Sequence, residues 1–143
     1  MEIIRATKLA QQAGAYYVRI QAMARKHQLP LEEEFDEHDT PETHYIVAID
    51  NFLPIATCRM YPIDDTQMML GRIVVLPEYR HQGLGTKVVQ EAEQWAKELG
   101  YKKAVVESRD NKVKFYESMG YTGDYSQKLT DGSFPCFRME RDL

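Results

Sequence analysis

Residues 72–85 read Arg72-Ile73-Val74-Val75-Leu76-Pro77-Glu78-Tyr79-Arg80-His81-Gln82-Gly83-Leu84-Gly85. The apolar run from Ile73 to Leu76 is expected to end a strand over 69–76 that is buried on both faces, and Pro77 stops it. A glycine-containing turn comes next, and a long helix is predicted from near Thr86. Its stripe of Val88, Ala92, Trp95, Ala96 and Leu99 falls at helical spacing, and Gly100 suits the position just past its end. The turn carries Arg80-x-x-Gly83-x-Gly85, so the backbone can approach a ligand closely and the helix start presents unpaired amides. That combination suits an anion, with a phosphate or pyrophosphate as its natural occupant; a tight turn whose glycines serve only geometry is the alternative. The common nucleotide motifs are absent: there is no G-x-G-x-x-G, and Gly83-Leu84-Gly85-Thr86-Lys87 does not fit G-x-x-x-x-G-K-[ST].

Working outward, residues 2–5 read as a short strand. Thr7 is placed to cap a helix with the apolar stripe Leu9, Ala13, Tyr17, Ile20 and Met23. Pro30 ends that region. Leu31 to Asp39 then carries six carboxylates (Glu32, Glu33, Glu34, Asp36, Glu37, Asp39). Strands over 45–49 and 55–61 are joined around Asp50-Asn51. Beyond the long helix, Lys103 to Ser108 is a further strand. Asn111 can cap a short helix over 112–119, closed by Gly120. Strands near 122–129 and 134–140 meet at Asp131-Gly132, a hairpin signal. The order β-α-(acidic segment)-β-β-β-α-β-α-β-β predicts one mixed α/β sheet with a single crossover helix between parallel neighbours.

Composition sets the outer limits. A chain of 143 residues with 43% hydrophobic and 28% charged residues is sized for one domain, assigned here to 1–143. Its net charge of −4 has the wrong sign for a protein that grips nucleic acid. The longest apolar run, Tyr45 to Ile49, is far shorter than the ~20 residues of a membrane-spanning helix. No secretory signal is visible, so the cytoplasm is the expected location, with Cys58 and Cys136 as reduced thiols. The four histidines show no metal-ligand spacing, and no metal is expected.

Two blocks together identify a family. The stretch 72–85 resembles the acetyl-CoA signature of GNAT-type N-acetyltransferases, an apolar strand followed by R/Q-x-x-G-x-G/A. Asn111-x-x-x-Phe115-Tyr116-x-x-x-Gly120-Tyr121, after the strand 103–108, is similar to that family's second element. Arg19-Ile20 and Leu29 to Asp39, with His44 beyond, resemble the small ElaA-like branch. The chain departs from that branch at Ala22-Met23-Ala24, at Lys26-His27 and at Cys136 after Pro135, so no acceptor is carried over from it.

The resemblance implies a GNAT-type acyl-CoA N-acyltransferase fold: a mixed, mostly antiparallel sheet whose parallel pair, 69–76 and 103–108, splays to admit acetyl-CoA. It implies that Ile73, Val74 and Val75 pair their backbone with the pantetheine arm. The amides of Arg80, His81, Gln82, Gly83, Leu84, Gly85 and Thr86 would hold the pyrophosphate, and Asn111 would bond the cofactor arm. Tyr116 would stand near the thioester sulfur as the acid for the departing thiolate. The reaction implied is acetyl transfer from acetyl-CoA to a primary amine, of a small molecule or a peptide, by direct attack in a ternary complex. Neither cysteine lies in the two motifs, which argues against an acyl-enzyme. A regulatory module that binds acyl-CoA without turnover is the alternative. Glu34, His44 and Glu107 have the chemistry of a general base, and none is singled out. The acidic segment is expected to face the acceptor entrance, where some of its carboxylates attract a cationic amine. The terminal hairpin 122–140 offers a strand edge for a homodimer.

Overall fold

The computed structural model describes residues 1–129 and 135–143, and opens with strand β1 (Glu2–Ala6) and helix α1 (Leu9–Arg19). Thr7 does not cap α1. Lys8 is the cap residue, and the Gln11 side chain accepts hydrogen bonds from the amides of Thr7 and Lys8, both at 3.1 Å. The helix continues through a π-helical turn, Ile20–Ala24, into α2 (Arg25–His27), and Gln28 ends it in the left-handed conformation. The predicted stripe is also corrected. Leu9 and Tyr17 are exposed, and the inward face is Gln12, Ala15, Val18, Arg19 and Ala22. Two of those are polar, so the hydrophobic pattern alone points the helix the wrong way.

The acidic segment begins as a short helix, α3 (Leu31–Glu34). Strands β2 (His44–Asp50), β3 (Leu53–Pro62) and β4 (Gln67–Val75) then form an antiparallel meander. The β2–β3 turn is tight: Asn51 and Phe52 have φ of 50° and 71°, the left-handed pair of a two-residue hairpin. A 3₁₀ turn, Pro77–Tyr79, leads to helix α4 (Leu84–Glu98), which starts two residues earlier than its sequence pattern suggests. Strand β5 (Lys103–Arg109), a 3₁₀ turn (Asp110–Lys112), helix α5 (Val113–Ser118), strand β6 (Thr122–Gly123) and strand β7 (Cys136–Asp142) complete the chain. Asn111 lies in the 3₁₀ turn, and Lys112 occupies the cap position of α5, which has no side-chain cap. The strand expected over 122–129 is only two residues long, and Leu129 bridges Cys136 alone. The Asp131-Gly132 turn lies outside the described residues.

The sheet order is β1-β2-β3-β4-β5-β7-β6, and β4 with β5 is its parallel pair. Consecutive residues of β2 serve opposite faces, as the period of 2 requires. Ile46 and Ala48 join Cys58, Met60, Leu70 and Val106 in the main core beneath Val88, Val89, Ala92 and Ala96 of α4. Tyr45 and Val47 pack with Ala6 and Ala15 on the α1 side. The fold is the mixed α/β sheet flanked by helices that the sequence predicts.

Candidate active site

Strands β4 and β5 run together only from Gln67↔Lys103 to Leu70↔Val106. Beyond that point β5 keeps its pairing with β7, up to Arg109↔Cys136, while β4 keeps its pairing with β3, up to Val75↔Ala56. The facing edges of residues 71–75 and 107–109 therefore have no ladder between them. This explains one departure from the sequence reading: Ile73, Val74 and Val75 are half-buried, because the strand that would cover one edge is missing. An unpaired strand edge offers backbone donors and acceptors to an extended ligand.

The opening leads to the turn 80–86. His81 and Gly83 both have positive φ, 64° and 75°, and Gly83 is the cap residue of α4. The Arg80 amide, expected to join the pyrophosphate cradle, instead donates to the Pro77 carbonyl at 3.4 Å, and the next amide to find a main-chain acceptor is Lys87, which donates to Gly83 at 3.1 Å. Among the described residues, the amides of His81, Gln82, Gly83, Leu84, Gly85 and Thr86 donate to no other group. These six amides lead into the N-terminus of α4, where the peptide dipoles add a partial positive charge. Arg80 lies across the mouth, its Nε donating to the Val75 carbonyl at 3.4 Å. Phe115 stands behind the turn, with its ring 3.7 Å from where a Cβ on Gly85 would be.

Tyr116 is buried in the core on the α4 side of the sheet, edge-on to Phe115 and Tyr121 with ring centroids 5.0 and 5.7 Å away. Among the described residues its hydroxyl makes no hydrogen bond. Burial pushes its pKa upward, and the neighbouring Cys58 and Cys136 thiols add to the shift, so the phenol stays protonated. Both cysteines thus lie close to Tyr116 in space although they are remote from the motifs in sequence. Burial raises the pKa of each thiol as well, which disfavours the thiolate that a covalent step would need. Asn111 is exposed at the end of β5, with its side chain free of hydrogen bonds among the described residues. A groove of about 530 Å³ separates Tyr17, Gln21, Arg25 and Lys26 from the Leu76–Glu78 corner at the end of β4.

The candidate bases do not assemble. Glu34 is buried against Arg19. His44 Nδ1 donates to the Glu42 carbonyl, 3.1 Å away, and its ring lies against Trp95. Glu107 is exposed on β5, one residue past the last β4 pair. A polar cluster joins residues that the sequence names separately with one it does not single out, Arg59: Arg19, Arg59 and Arg72 bind Glu34, Asp36 and Asp39. Three of the six carboxylates are therefore paired, and only Glu32, Glu33 and Glu37 are exposed. Among the described residues no group of His, Cys, Asp or Glu is arranged to hold a metal ion, and no helix is long and apolar enough to cross a membrane.

A parted parallel pair that ends in an amide-lined turn and a helix is the arrangement the resemblance to GNAT-type acyl-CoA transferases implies, and comparison with known proteins agrees on that class. Residues 7–121 match the model of the acetyltransferase (GNAT) family, and the chain belongs to that family. The uncharacterized N-acetyltransferase YjcF of Bacillus subtilis is 28% identical over 142 residues, covering 99% of this chain and all of that protein. A Lactobacillus plantarum crystal structure, provisionally named an N-acetyltransferase, superposes with a TM-score of 0.92 at 29% identity, over 99% of this chain and 97% of the other. Escherichia coli ElaA shares the fold at TM-score 0.83 and 16% identity, over 99% of each chain. An aminoglycoside 6′-N-acetyltransferase in complex with coenzyme A shares it at 0.77 and 18%, over 99% of this chain and 97% of that one. The protein is an acetyltransferase by family and by fold.

Proposed function

We propose that residues 1–143 act as one acetyl-CoA-dependent N-acetyltransferase domain that acetylates a primary amine by direct attack in a ternary complex. The observation that carries this reading is the parting of β4 from β5 above six unpaired amides. Ile73, Val74 and Val75 would take the pantetheine arm along their free edge. Residues His81 to Thr86 would hold the pyrophosphate through main-chain N–H groups, and Asn111, released from capping duty, would bond the arm from the β5 side. The coenzyme A held by a fold neighbour supports this assignment.

Acyl transfer to an amine needs a neutral nucleophile, polarisation of the carbonyl and a proton for the departing thiolate. Tyr116 supplies the proton: its raised pKa keeps it in the acid form, and its hydroxyl has no competing partner among the described residues. The thiols favour direct attack over an acyl-enzyme, since burial raises the pKa of both Cys58 and Cys136. The 530 Å³ groove beside the Leu76–Glu78 corner gives an acceptor a route to the cleft. The test is release of coenzyme A from acetyl-CoA in the presence of a panel of small primary amines and N-terminal peptides. Turnover with one of them supports the reading, and tight acetyl-CoA binding without turnover for any amine assigns the chain to a binding module instead.

A further inference from the structure

Strand β4 is irregular where it leaves β5. Thr57 faces Val74 and Arg59 faces Gly71, so Cys58 on β3 stands opposite two residues, Arg72 and Ile73. This is a β-bulge with its extra residue in β4, a device that bends a strand and redirects its next residues. The first bulge residue, Arg72, has φ of 45°. That left-handed position is the one a bulge of this kind ordinarily fills with glycine, because a side chain there is strained. Such a residue persists only where its surroundings over-determine it.

The surroundings of Arg72 are ionic. Its Nε donates to the Glu34 carbonyl and its Nη2 to Asp36 Oδ2, both at 3.3 Å. Arg59, which faces Gly71 across the strand pair, donates to the same Asp36 carboxylate at 2.8 and 3.2 Å and to Asp39 at 3.0 Å. Arg19 closes the network from α1, with bonds of 2.6 and 3.0 Å to Asp39 and 2.8 Å to the Glu34 carbonyl. Arg19, Arg59 and Glu34 are no more than 4% exposed, and among the described residues buried Arg59 Nε has no acceptor. Burying paired charges brings little net stability compared with apolar packing, and a leftover buried donor detracts from it. What the network does supply is geometry: one carboxylate grips an arginine on each strand of the bulge.

We propose that Asp36 is a positioning residue for acetyl-CoA binding: by holding Arg59 and Arg72 together it fixes the left-handed turn at Arg72, and so sets the line along which Ile73–Val75 part from β5. The proposal rests on the reading of that cleft as the acetyl-CoA site. It also gives the acidic segment a role other than attracting the acceptor.

The role predicts a particular non-additivity. Glycine at position 72 adopts the left-handed turn without help, whereas alanine keeps the strain and loses the tether. Acetyl-CoA affinity of the full chain, measured by calorimetry, should therefore weaken about tenfold in Asp36→Ala and in Arg72→Ala, yet stay within about threefold of wild type in Arg72→Gly. Adding Asp36→Ala to Arg72→Gly should then leave affinity nearly unchanged, although it lowers Tm in both backgrounds. Asp36→Asn, which keeps the shape, replaces Asp36→Ala if the latter fails to fold. Equal weakening by the Asp36 change in both backgrounds, or no weakening in either, overturns the proposal. Hydrogen exchange of the unliganded proteins gives a readout independent of ligand: the amides of 71–75 should exchange faster in Asp36→Ala than in wild type, and unchanged exchange there also overturns it. A wild-type protein that binds no acetyl-CoA would overturn the reading of the cleft itself, and the proposal with it.

Discussion

The Tyr121 hydroxyl donates a 2.6 Å hydrogen bond to Glu93 inside the core, fastening the exit of α5 to the middle of α4. Arg141 completes the carboxylate's partners at 3.1 Å. Tyr121 is 1% exposed and Glu93 is 7% exposed, so water has little access to replace either partner. Tyr121→Phe keeps the ring and leaves a buried carboxylate one hydrogen bond short. It should cost about 1–3 kcal/mol in urea unfolding, with acetyl-CoA affinity unchanged because the pair lies away from the turn 80–86. A loss of affinity that exceeds the loss of stability would show that this anchor also sets the cleft.

The turn is best probed at Gly85. Gly83 has positive φ, so any β-carbon there strains the backbone whether or not a ligand is present. At Gly85 a Cβ would meet only Phe115, at an ordinary 3.7 Å. Gly85→Ala should fold and bind acetyl-CoA. Gly85→Val adds branches beside the unpaired amides of the turn, and should abolish most of the rise in melting temperature that acetyl-CoA gives by mass action. A full ligand-induced rise in folded Gly85→Val would remove the pyrophosphate from this turn.

The β4–turn–α4 unit is legible in the sequence because its signals are local: a run of apolar residues, a proline, two glycines and a helical stripe all lie within thirty residues. Helix α1 misleads for the opposite reason. Arg19 faces inward because Glu34 and Asp39 meet it there, and Gln12 faces inward because it donates to the carbonyls of Pro41 and Thr43 at 2.8 and 3.3 Å. Those partners lie 15 to 31 positions away in sequence, beyond the reach of periodicity. The bulge at Arg72 is hidden likewise, since nothing local marks an arginine for the left-handed region. Within the site, the residues of the two motifs are nameable from sequence, whereas the proximity of Cys58 and Cys136 to Tyr116 depends on how β3, α5 and β7 come together.

Tyr116 gives a clean test of the acid, because its hydroxyl makes no hydrogen bond among the described residues. With none there to lose, Tyr116→Phe should unfold within about 0.5 kcal/mol of wild type. If the phenol protonates the thiolate, kcat with any amine the wild type accepts should fall roughly 10²-fold while acetyl-CoA affinity holds. Unchanged kcat would make Tyr116 a packing residue.

Asp39 sets a pH dependence. Burial pushes its carboxyl up, but hydrogen bonds from Arg19, the Asp36 amide and Tyr45 outweigh this and hold it far below the usual range. A carboxyl whose folded pKa lies below its unfolded value of ~3.9 binds its proton more readily when unfolded, so its contribution is present above about pH 4 and drains away as pH falls. Asp39→Asn should therefore lose about 3 kcal/mol at pH 7. The gap to wild type should narrow between about pH 4 and about pH 2.5. Urea unfolding at those values checks it, and a gap that stays constant would mean the loss comes from packing.

The acidic segment divides into two sets of carboxylates, and only one set is free to meet an acceptor. Glu34, Asp36 and Asp39 are neutralised by three arginines, so changing Glu34 tests stability rather than substrate attraction. Glu32, Glu33 and Glu37 are exposed. A negative surface raises the local concentration of a cationic amine, but it also raises the amine's pKa and so opposes the deprotonation that attack requires. If the first effect prevails, replacing all three by Gln should raise KM for a lysine-like or polyamine acceptor and leave kcat nearly intact. Exposed charges act through solvent, where the Debye length is ~10 Å at 0.1 M salt, so the difference in KM between wild type and variant should shrink as salt is raised. Melting temperature should stay within a degree or two, since surface substitutions of this kind rarely exceed ~0.5 kcal/mol. Steady-state kinetics at low and high salt decide the matter: an unchanged KM for every cationic acceptor would make these three groups ordinary solvent-facing charge.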